Sequence, residues 1–70
     1  MKLEYDKDVD AAYVYLADSI KDKEVRKTIE LNDNIILDFD DKGKLLGVEI
    51  LNASKVLNEK ILMTSSSPVN

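Results

Sequence analysis

The acidic residues between positions 38 and 49 are the first candidates for chemistry in this chain. Their pattern, Asp-x-Asp-x-Lys-Gly-x-x-x-x-x-Glu, matches the calcium loop of EF-hand proteins at its first, third, sixth and twelfth positions. Lys42 stands at the fifth position, where an ammonium group removes an oxygen ligand and repels the ion. The flanking residues are strand-like, whereas an EF-hand needs helices. We therefore expect a solvated hairpin turn here and no metal site.

The carboxylates of Asp38, Asp40 and Glu49 could also act as an acid and base pair, as in glycosidases. A chain of 70 residues is too small for the cleft that such chemistry needs. We expect instead that Asp38 lies opposite a basic residue such as Lys27, and that Asp40 and Asp41 begin the turn.

The alternating segment of Asp6, Asp8 and Asp10 is a third acidic candidate. It could hold a divalent ion, but such segments are more often turns in which Asp side chains bond their own backbone. The chain has no His and no Cys, so neither the usual zinc ligands nor a Ser-His-Asp or Cys-His nucleophile can be assembled. We predict no cofactor and no enzymatic activity.

Recognition of a partner is best predicted at two tyrosines. Tyr13 and Tyr15 fall on one face of a predicted strand, and tyrosine is enriched at interfaces because it combines apolar area with a hydroxyl group. Ile36 and Val48 of the hairpin complete the predicted interaction set. The alternative is that these side chains form the second half of the core.

The elements that position these residues begin with a β-hairpin. Two apolar runs flank Asp41-Lys42-Gly43, where Gly43 suits the left-handed conformation of a bulged turn. Gly47 is expected where a side chain would clash, beneath a Phe or Tyr of a neighbouring strand. The predicted register pairs Phe39 with Leu45, Asp38 with Leu46, Leu37 with Gly47 and Ile36 with Val48.

Three further strands and a helix are predicted. Strands are expected around residues 3–5, 11–16 and 25–31, with a helix over residues 10–17 as the alternative for the second. Asn52 is the predicted N-cap of one helix over residues 53–62. The predicted fold is α+β: an antiparallel meander of four or five strands in chain order, with one C-terminal helix on the sheet. Residues 1–63 form the predicted domain, and residues 64–70 a flexible tail.

Composition restricts the partners. Ten basic and fourteen acidic residues give a net charge of -4, and the basic residues are not clustered, which disfavours direct binding of nucleic acid. No leader-like or membrane-spanning apolar run is present, so we expect a cytoplasmic protein. Because one helix covers one of two apolar sheet faces, and no disulfide supports the fold, we expect a homodimer through the other face. A closed barrel is the alternative.

Two segments of the chain carry a recurring set of residues: Tyr5, Asp6 and Asp10, then Asp38, Asp40, Gly43, Gly47, Glu49 and Ile50, then Ala53 and Ser54. In these residues the chain resembles the family of small prokaryotic proteins known as domain of unknown function 2283. The resemblance covers residues 5–57 and implies a compact β-rich domain with a C-terminal helix and no established activity. Some relatives are thought to be encoded beside small toxin-like proteins, so the resemblance makes an antitoxin-like role one hypothesis. Tyr15 departs from the pattern, since relatives more often carry a basic or polar residue there.

These observations lead to the hypothesis of a small, non-enzymatic protein-binding domain. Binding would bury the second apolar sheet face or pair a strand at a sheet edge, with a second copy or another small protein as partner. The competing hypothesis is a module that binds a small ligand or a divalent metal ion at the acidic turns. An enzyme is the third class.

Overall fold

The computed structural model describes residues 1–21 and 23–63 and contains five strands and two short helices. The predicted tail at residues 64–70 lies outside the described residues. The elements are β1 (Lys2–Asp6), β2 (Ala11–Tyr15), β3 (Lys27–Glu30), β4 (Ile35–Phe39), β5 (Leu45–Leu51), α1 (Ala53–Val56) and α2 (Glu59–Met63).

The five strands form one antiparallel sheet in the order β1-β2-β5-β4-β3. The antiparallel α+β class is confirmed, but the strands do not follow chain order, because β5 lies between β2 and β4. This order places the apolar strands β2 and β5 at the centre and leaves β3, with Lys27 and Glu30, at an edge. Charged strands suit edges because their side chains remain in water.

The core lies on one face of the sheet, beneath the helices. Ala12 of β2, Ile50 of β5 and Ala53 of α1 are its buried centre. Burying apolar side chains of this kind supplies the main driving force for folding. The partly buried side chains packed against this centre are Leu3, Tyr5, Val14, Val48, Val56, Leu57 and Leu62.

The single helix predicted over residues 53–62 is two helices. Leu57 is extended, with φ -100° and ψ 146°, and it ends α1. Asn58 then caps α2, since its Oδ1 accepts a hydrogen bond of 2.8 Å from the backbone N–H of Lys60. The break turns the chain so that both Leu57 and Leu62 pack against the core.

The hairpin of β4 and β5 has the predicted turn but a different register. Gly43 has φ +78°, and the N–H of Asp40 donates to the Lys44 carbonyl at 2.8 Å, as a bulged turn requires. Phe39 lies opposite Leu45 as predicted. An irregularity between residues 38 and 39 then shifts every pair farther from the turn by one residue. The pairs are Asp38 with Gly47, Leu37 with Val48 and Ile36 with Glu49.

The β2–β3 connection, residues 16–26, leads from the centre of the sheet to its far edge. It is tied at its start by Leu16, whose N–H donates to the Leu46 carbonyl at 3.0 Å, and at its end by Arg26, whose N–H donates to the Phe39 carbonyl at 2.9 Å. Ile20 and Val25 within it line a cleft together with sheet residues. The connection therefore covers part of the face opposite the helices. No helix of the described residues is long and apolar enough to cross a membrane.

Candidate functional site

The tyrosine face, the sheet face opposite the helices, carries Tyr13, Tyr15, Asp38 and Gly47. Tyr15 lies opposite Gly47 across the β2–β5 ladder, and Asp38 lies opposite Gly47 across the β4–β5 ladder. A Cβ atom at Gly47 would lie 2.7 Å from Cζ and 2.8 Å from Cε2 of Tyr13. The ring of Tyr13 therefore occupies the space over Gly47, which confirms the predicted close approach of a tyrosine.

Asp38 accepts two hydroxyl hydrogen bonds on this face. The hydroxyl of Tyr13 donates to Oδ2 at 2.8 Å, and Oγ1 of Thr28 donates to Oδ1 at 2.9 Å. The prediction that Asp38 lies opposite the basic residue Lys27 is wrong, because Lys27 lies opposite Phe39 and Thr28 lies opposite Asp38. Burial, followed by the bond to Asp38, raises the pKa of Tyr13 well above its usual range. The Tyr13 hydroxyl therefore keeps its proton to a higher pH than that of an ordinary tyrosine.

Tyr15 is held by a second set of contacts. Its hydroxyl donates to Oε1 of Glu4 at 2.9 Å, and Nζ of Lys2 lies 3.2 Å from Oε2 of Glu4. The bond from Tyr15, and then the contact with Lys2, lowers the pKa of Glu4, while the same bond raises the pKa of Tyr15. The rings of Tyr13 and Tyr15 pack edge to face with centroids 4.7 Å apart. The polar groups of both tyrosines are therefore engaged within the chain.

The four predicted interaction residues do not form one surface. Ile36 lies opposite Glu49, which lies opposite Tyr13, so Ile36 shares the tyrosine face. Val48 instead packs against the core beneath the helices. The shifted register separates Ile36 from Val48, because neighbouring positions along a strand point to opposite faces.

The acidic turns are stabilised by bonds to their own backbone, as predicted. Oδ1 of Asp6 accepts from the N–H of Asp8 at 2.9 Å, and Oδ1 of Asp40 accepts from the N–H groups of Lys42 at 2.8 Å and Lys44 at 2.9 Å. The bond from Lys44 is the largest cause of a lowered pKa at Asp40. Among the described residues, no group of three or more His, Cys, Asp or Glu side chains could hold a metal ion.

Asp10 has a structural role that sequence analysis missed. Its Oδ1 accepts from the Tyr5 hydroxyl at 2.7 Å and from the Ser54 N–H at 2.9 Å, while Oδ2 accepts from Oγ of Ser54 at 2.7 Å. Its backbone carbonyl accepts from the N–H of Ala53 at 2.9 Å. Asp10 therefore caps α1 from 44 positions away in the sequence. The bond from the Ser54 hydroxyl, followed by that from Tyr5, lowers the pKa of Asp10.

Asn52, the predicted N-cap of the helix, does not cap α1 with its side chain. It has φ +54° and makes no side-chain capping bond to α1 within the described residues. Its Nδ2 donates instead to Oδ1 of Asn34 at 3.0 Å. The prediction failed because Asn52 has the right position in sequence, but the left-handed turn directs its side chain to the β3–β4 loop.

The β3 edge, formed by β3 and Leu31, is the most open part of the sheet. All four residues of β3 are exposed, and β3 is the last strand in the sheet order. The N–H of Leu31 donates to the Ile35 carbonyl at 2.8 Å, so alternate residues Ile29 and Lys27 also direct their backbone groups towards β4. Thr28 and Glu30 therefore direct their backbone N–H and C=O groups outwards.

Apolar side chains accompany this open edge. Ile29 is 40% exposed and Leu31 is 62% exposed. In the part of the chain that the structure describes, none of the side chains packed against the core centre comes from β3 or β4. The other edge, β1, is mostly half-buried, and its Glu4 is occupied by Tyr15 and Lys2. The β3 edge is consequently the candidate functional site.

Comparison with known proteins gives a family but no activity. The model of the family described as "Protein of unknown function (DUF2283)" matches residues 2–54, from β1 to α1. The chain is similar to an uncharacterized protein of Methanocaldococcus jannaschii, with 45% identity over 58 residues that make up 83% of this chain and 46% of that protein. The chain thus spans about half the length of this curated relative. No solved structure matches.

Proposed function

We propose, since the chain belongs to the DUF2283 family of proteins of unknown function, that its role follows from its open sheet edge. The proposed function is that of a non-enzymatic protein-binding domain, whose partner adds an extended strand to the β3 edge. The observation that carries this proposal is that β3 is exposed at all four residues and has no neighbouring strand on its outer side among the described residues. Outward N–H and C=O groups of this kind are a template for strand addition.

The side chains support the same choice of surface. Ile29 and Leu31 offer exposed apolar area next to the outward backbone groups, which a partner strand would bury. The tyrosine face is less suitable, because the hydroxyls of Tyr13 and Tyr15 bond within the chain and the β2–β3 connection covers part of it. Main-chain bonds would supply affinity, and contacts with Ile29 and Leu31 would supply specificity.

Site-specific photo-cross-linking in the source cell tests the proposal. A photoreactive residue at position 30 should give a discrete protein adduct, whereas one at the exposed Glu59 of α2 should not. Thr28→Pro should remove the adduct, because proline lacks the outward N–H group. Thr28→Val is the matched control, since it loses the hydroxyl bond to Asp38 but keeps the N–H. Equal adducts at both positions, or an adduct that survives Thr28→Pro, would contradict edge binding.

An antitoxin-like role is the sharper form of this proposal. In that form, the cross-linked partner is a small protein that inhibits growth when expressed alone, and co-expression of this chain restores growth. Co-expression of Thr28→Pro should fail to restore it, while Thr28→Val should succeed. A partner without effect on growth would remove the antitoxin-like form and leave strand addition in place.

Binding of a small ligand is the second candidate, and one observation favours it. A cleft of about 300 Å³, open to solvent, is lined by Tyr13, Tyr15 and Asp38 from the sheet and by Ile20, Lys21 and Val25 from the connection. This volume is at the lower end for ligand sites, which are typically about 300–1,000 Å³. Titration with small organic ammonium ions, which suit aromatic rings beside a carboxylate, should shift the amide signals of these residues in a saturable way.

The metal form of this candidate has its own measurement. A calcium titration followed by amide NMR should leave residues 38–49 unchanged, because Lys42 and Lys44 already bond Asp40 through their backbone N–H groups. Saturable shifts confined to these residues would favour a metal-binding module over the protein-binding domain.

A further inference from the structure

We infer that a second copy of this chain occupies the β3 edge, in an antiparallel register centred on Ile29. This inference rests on the proposed function, because it names the partner of the same edge. In this register Ile29 lies opposite its own copy, and Thr28 lies opposite Glu30 of the second copy. The two sheets then continue through the pair of β3 strands.

The outward backbone groups fit this register. Only Thr28 and Glu30 of β3 direct their N–H and C=O groups outwards, as the bond from Leu31 to Ile35 requires. Pairing each Thr28 with Glu30 of the other copy satisfies all of these groups at once, through about four hydrogen bonds in the hydrogen-bonded pairs of an antiparallel ladder. No outward group of the strand is left without a partner.

The apolar side chains fit it as well. Ile29 of each copy would sit in a non-hydrogen-bonded pair, where the Cα atoms are about 4.5 Å apart and side chains are closest. Ile29 is 40% exposed in the single chain, and contact with its copy would remove this apolar area from water. Leu31, which is 62% exposed, would lie opposite Lys27 of the second copy, whose aliphatic stem can cover it.

Charge complementarity selects a second copy in antiparallel orientation. The β3 segment is basic at its start, with Arg26 and Lys27, and acidic at Glu30 near its end. Antiparallel pairing brings the basic end of each strand alongside the acidic end of the other, whereas parallel pairing would bring like charges together. The segment is therefore complementary to itself.

A neighbouring register, centred on Thr28, is disfavoured by the structure. It would require Arg26 to pair outwards with Glu30, but the N–H of Arg26 already donates to the Phe39 carbonyl at 2.9 Å. It would also place Ile29 opposite Lys27 and leave no apolar pair at the centre. The register centred on Ile29 avoids both costs.

Single cysteine substitutions test the register directly, because the chain has no cysteine of its own. Disulfides need Cα atoms about 4.4–6.8 Å apart. Ile29→Cys should therefore form a covalent dimer under mild oxidation, while Thr28→Cys and Glu30→Cys, displaced from their own copies, should form little. Dominant cross-linking of Thr28→Cys, or equal cross-linking of all three, would overturn the register.

Sedimentation equilibrium tests the association itself. The wild-type chain should pass from the 7.9 kDa monomer towards twice that mass as its concentration rises from about 10 µM to about 1 mM. Ile29→Lys, which brings two like charges together at the centre, should weaken association by about tenfold or more. Leu45→Lys is the matched control, because Leu45 is similarly exposed but lies on β5.

The outcomes separate this inference from the proposed function. A wild-type chain that stays monomeric over this range, together with no cross-linking of Ile29→Cys, would overturn the second copy. If photo-cross-linking at position 30 still captured a different protein, and Thr28→Pro removed that adduct, strand addition would stand with another partner. Circular dichroism of each variant would show whether a loss of association reflects a loss of fold. If Thr28→Pro does not fold, Ile29→Lys replaces it in the photo-cross-linking experiment.

Discussion

At the residue scale, the acidic side chains of this protein differ in what they bond, although they look alike in the sequence. Asp6 and Asp40 bond nearby backbone N–H groups, whereas Asp38 and Asp10 accept bonds from residues on other elements. A carboxylate can accept several hydrogen bonds, so one Asp can join a strand, a turn and a helix. Asp10 does this by connecting Tyr5 to Ser54.

The bonds to Asp10 predict a pH-dependent stability. Hydrogen bonds from Ser54 and Tyr5 lower the pKa of Asp10 in the folded chain. A lowered folded pKa means that this stabilisation is fully present above the ordinary pKa of Asp, about 3.9, and is lost as the pH falls through the folded value. Asp10→Asn should therefore lower Tm by several degrees at neutral pH, and by much less at strongly acidic pH.

Thermal unfolding of both proteins across this pH range is the measurement. Asp8→Asn is the control, because Asp8 is exposed and takes part in the turn through its backbone N–H. If the Tm difference between Asp10→Asn and wild type did not shrink with falling pH, the charge of Asp10 would not be what holds α1.

The contact between Tyr13 and Gly47 predicts an energetic coupling. Gly47→Ala should cost about 1–3 kcal/mol, since its methyl group would overlap the Tyr13 ring. The same substitution in a Tyr13→Ala background should cost much less, because the obstructing ring is gone. Urea unfolding of the two single variants and the double variant measures this coupling, and additive costs would contradict the close approach.

At the element scale, a one-residue irregularity in the β4–β5 hairpin sets which side chains meet. Without it, Asp38 would lie opposite Leu46; with it, Asp38 lies opposite Gly47 on the face that carries Tyr13. A shift of one residue exchanges the two faces of a strand, so the bulge places Asp38 on the tyrosine face. Val48 faces the core through its pairing with Val14 of β2. The turn between β4 and β5, in contrast, is specified by the residues of the turn itself.

That turn predicts a cost for β-branched residues at Gly43. Gly43 has φ +78°, which a β-branched side chain resists. Gly43→Val should lower the free energy of unfolding by more than about 1 kcal/mol, although no atom lies within 4 Å of the position that a Cβ atom would take. Lys42→Val is the control at the neighbouring position. Chemical denaturation measures both, and a change of a few tenths at Gly43 would contradict a strained turn.

At the scale of the whole molecule, the surfaces are covered unequally. The helices cover the face built by β1, β2 and β5, and the β2–β3 connection covers part of the tyrosine face. The expectation that a second copy covers the tyrosine face stays a prediction, and the β2–β3 connection already covers part of that face. The exposed edge at β3 becomes the surface where self-association is expected.

The arrangement of the core predicts that the chain tolerates truncation. Residues 1–63 supply the seven elements that the described part of the chain contains, and its core centre is formed by Ala12, Ile50 and Ala53. A chain ending at Met63 should therefore keep cooperative unfolding and a Tm close to that of the full chain. A large fall in Tm on truncation would show that residues 64–70 contribute to the fold.

The sequence by itself determined the local features of this protein. Strand alternation and turn chemistry indicated the strands, the left-handed Gly43 and the self-bonded acidic turns, because these depend on neighbouring residues and on backbone geometry. The need for a glycine at position 47, beneath an aromatic ring, was also predicted from the sequence. The resemblance to DUF2283 gave the β-rich class with a C-terminal helical segment.

Only the tertiary structure decided how these elements combine. The place of β5 beside β2 and the cap from Asp10 to Ser54 join residues far apart in the sequence, and the bulge beside Asp38 sets how β4 meets the strands so placed. Such pairings depend on the combined burial of several apolar faces and on the hydrogen bonds left unsatisfied by each element alone, which no local pattern records. The exposed β3 edge follows from the same cause, since a strand becomes an edge only when the remaining strands have been placed.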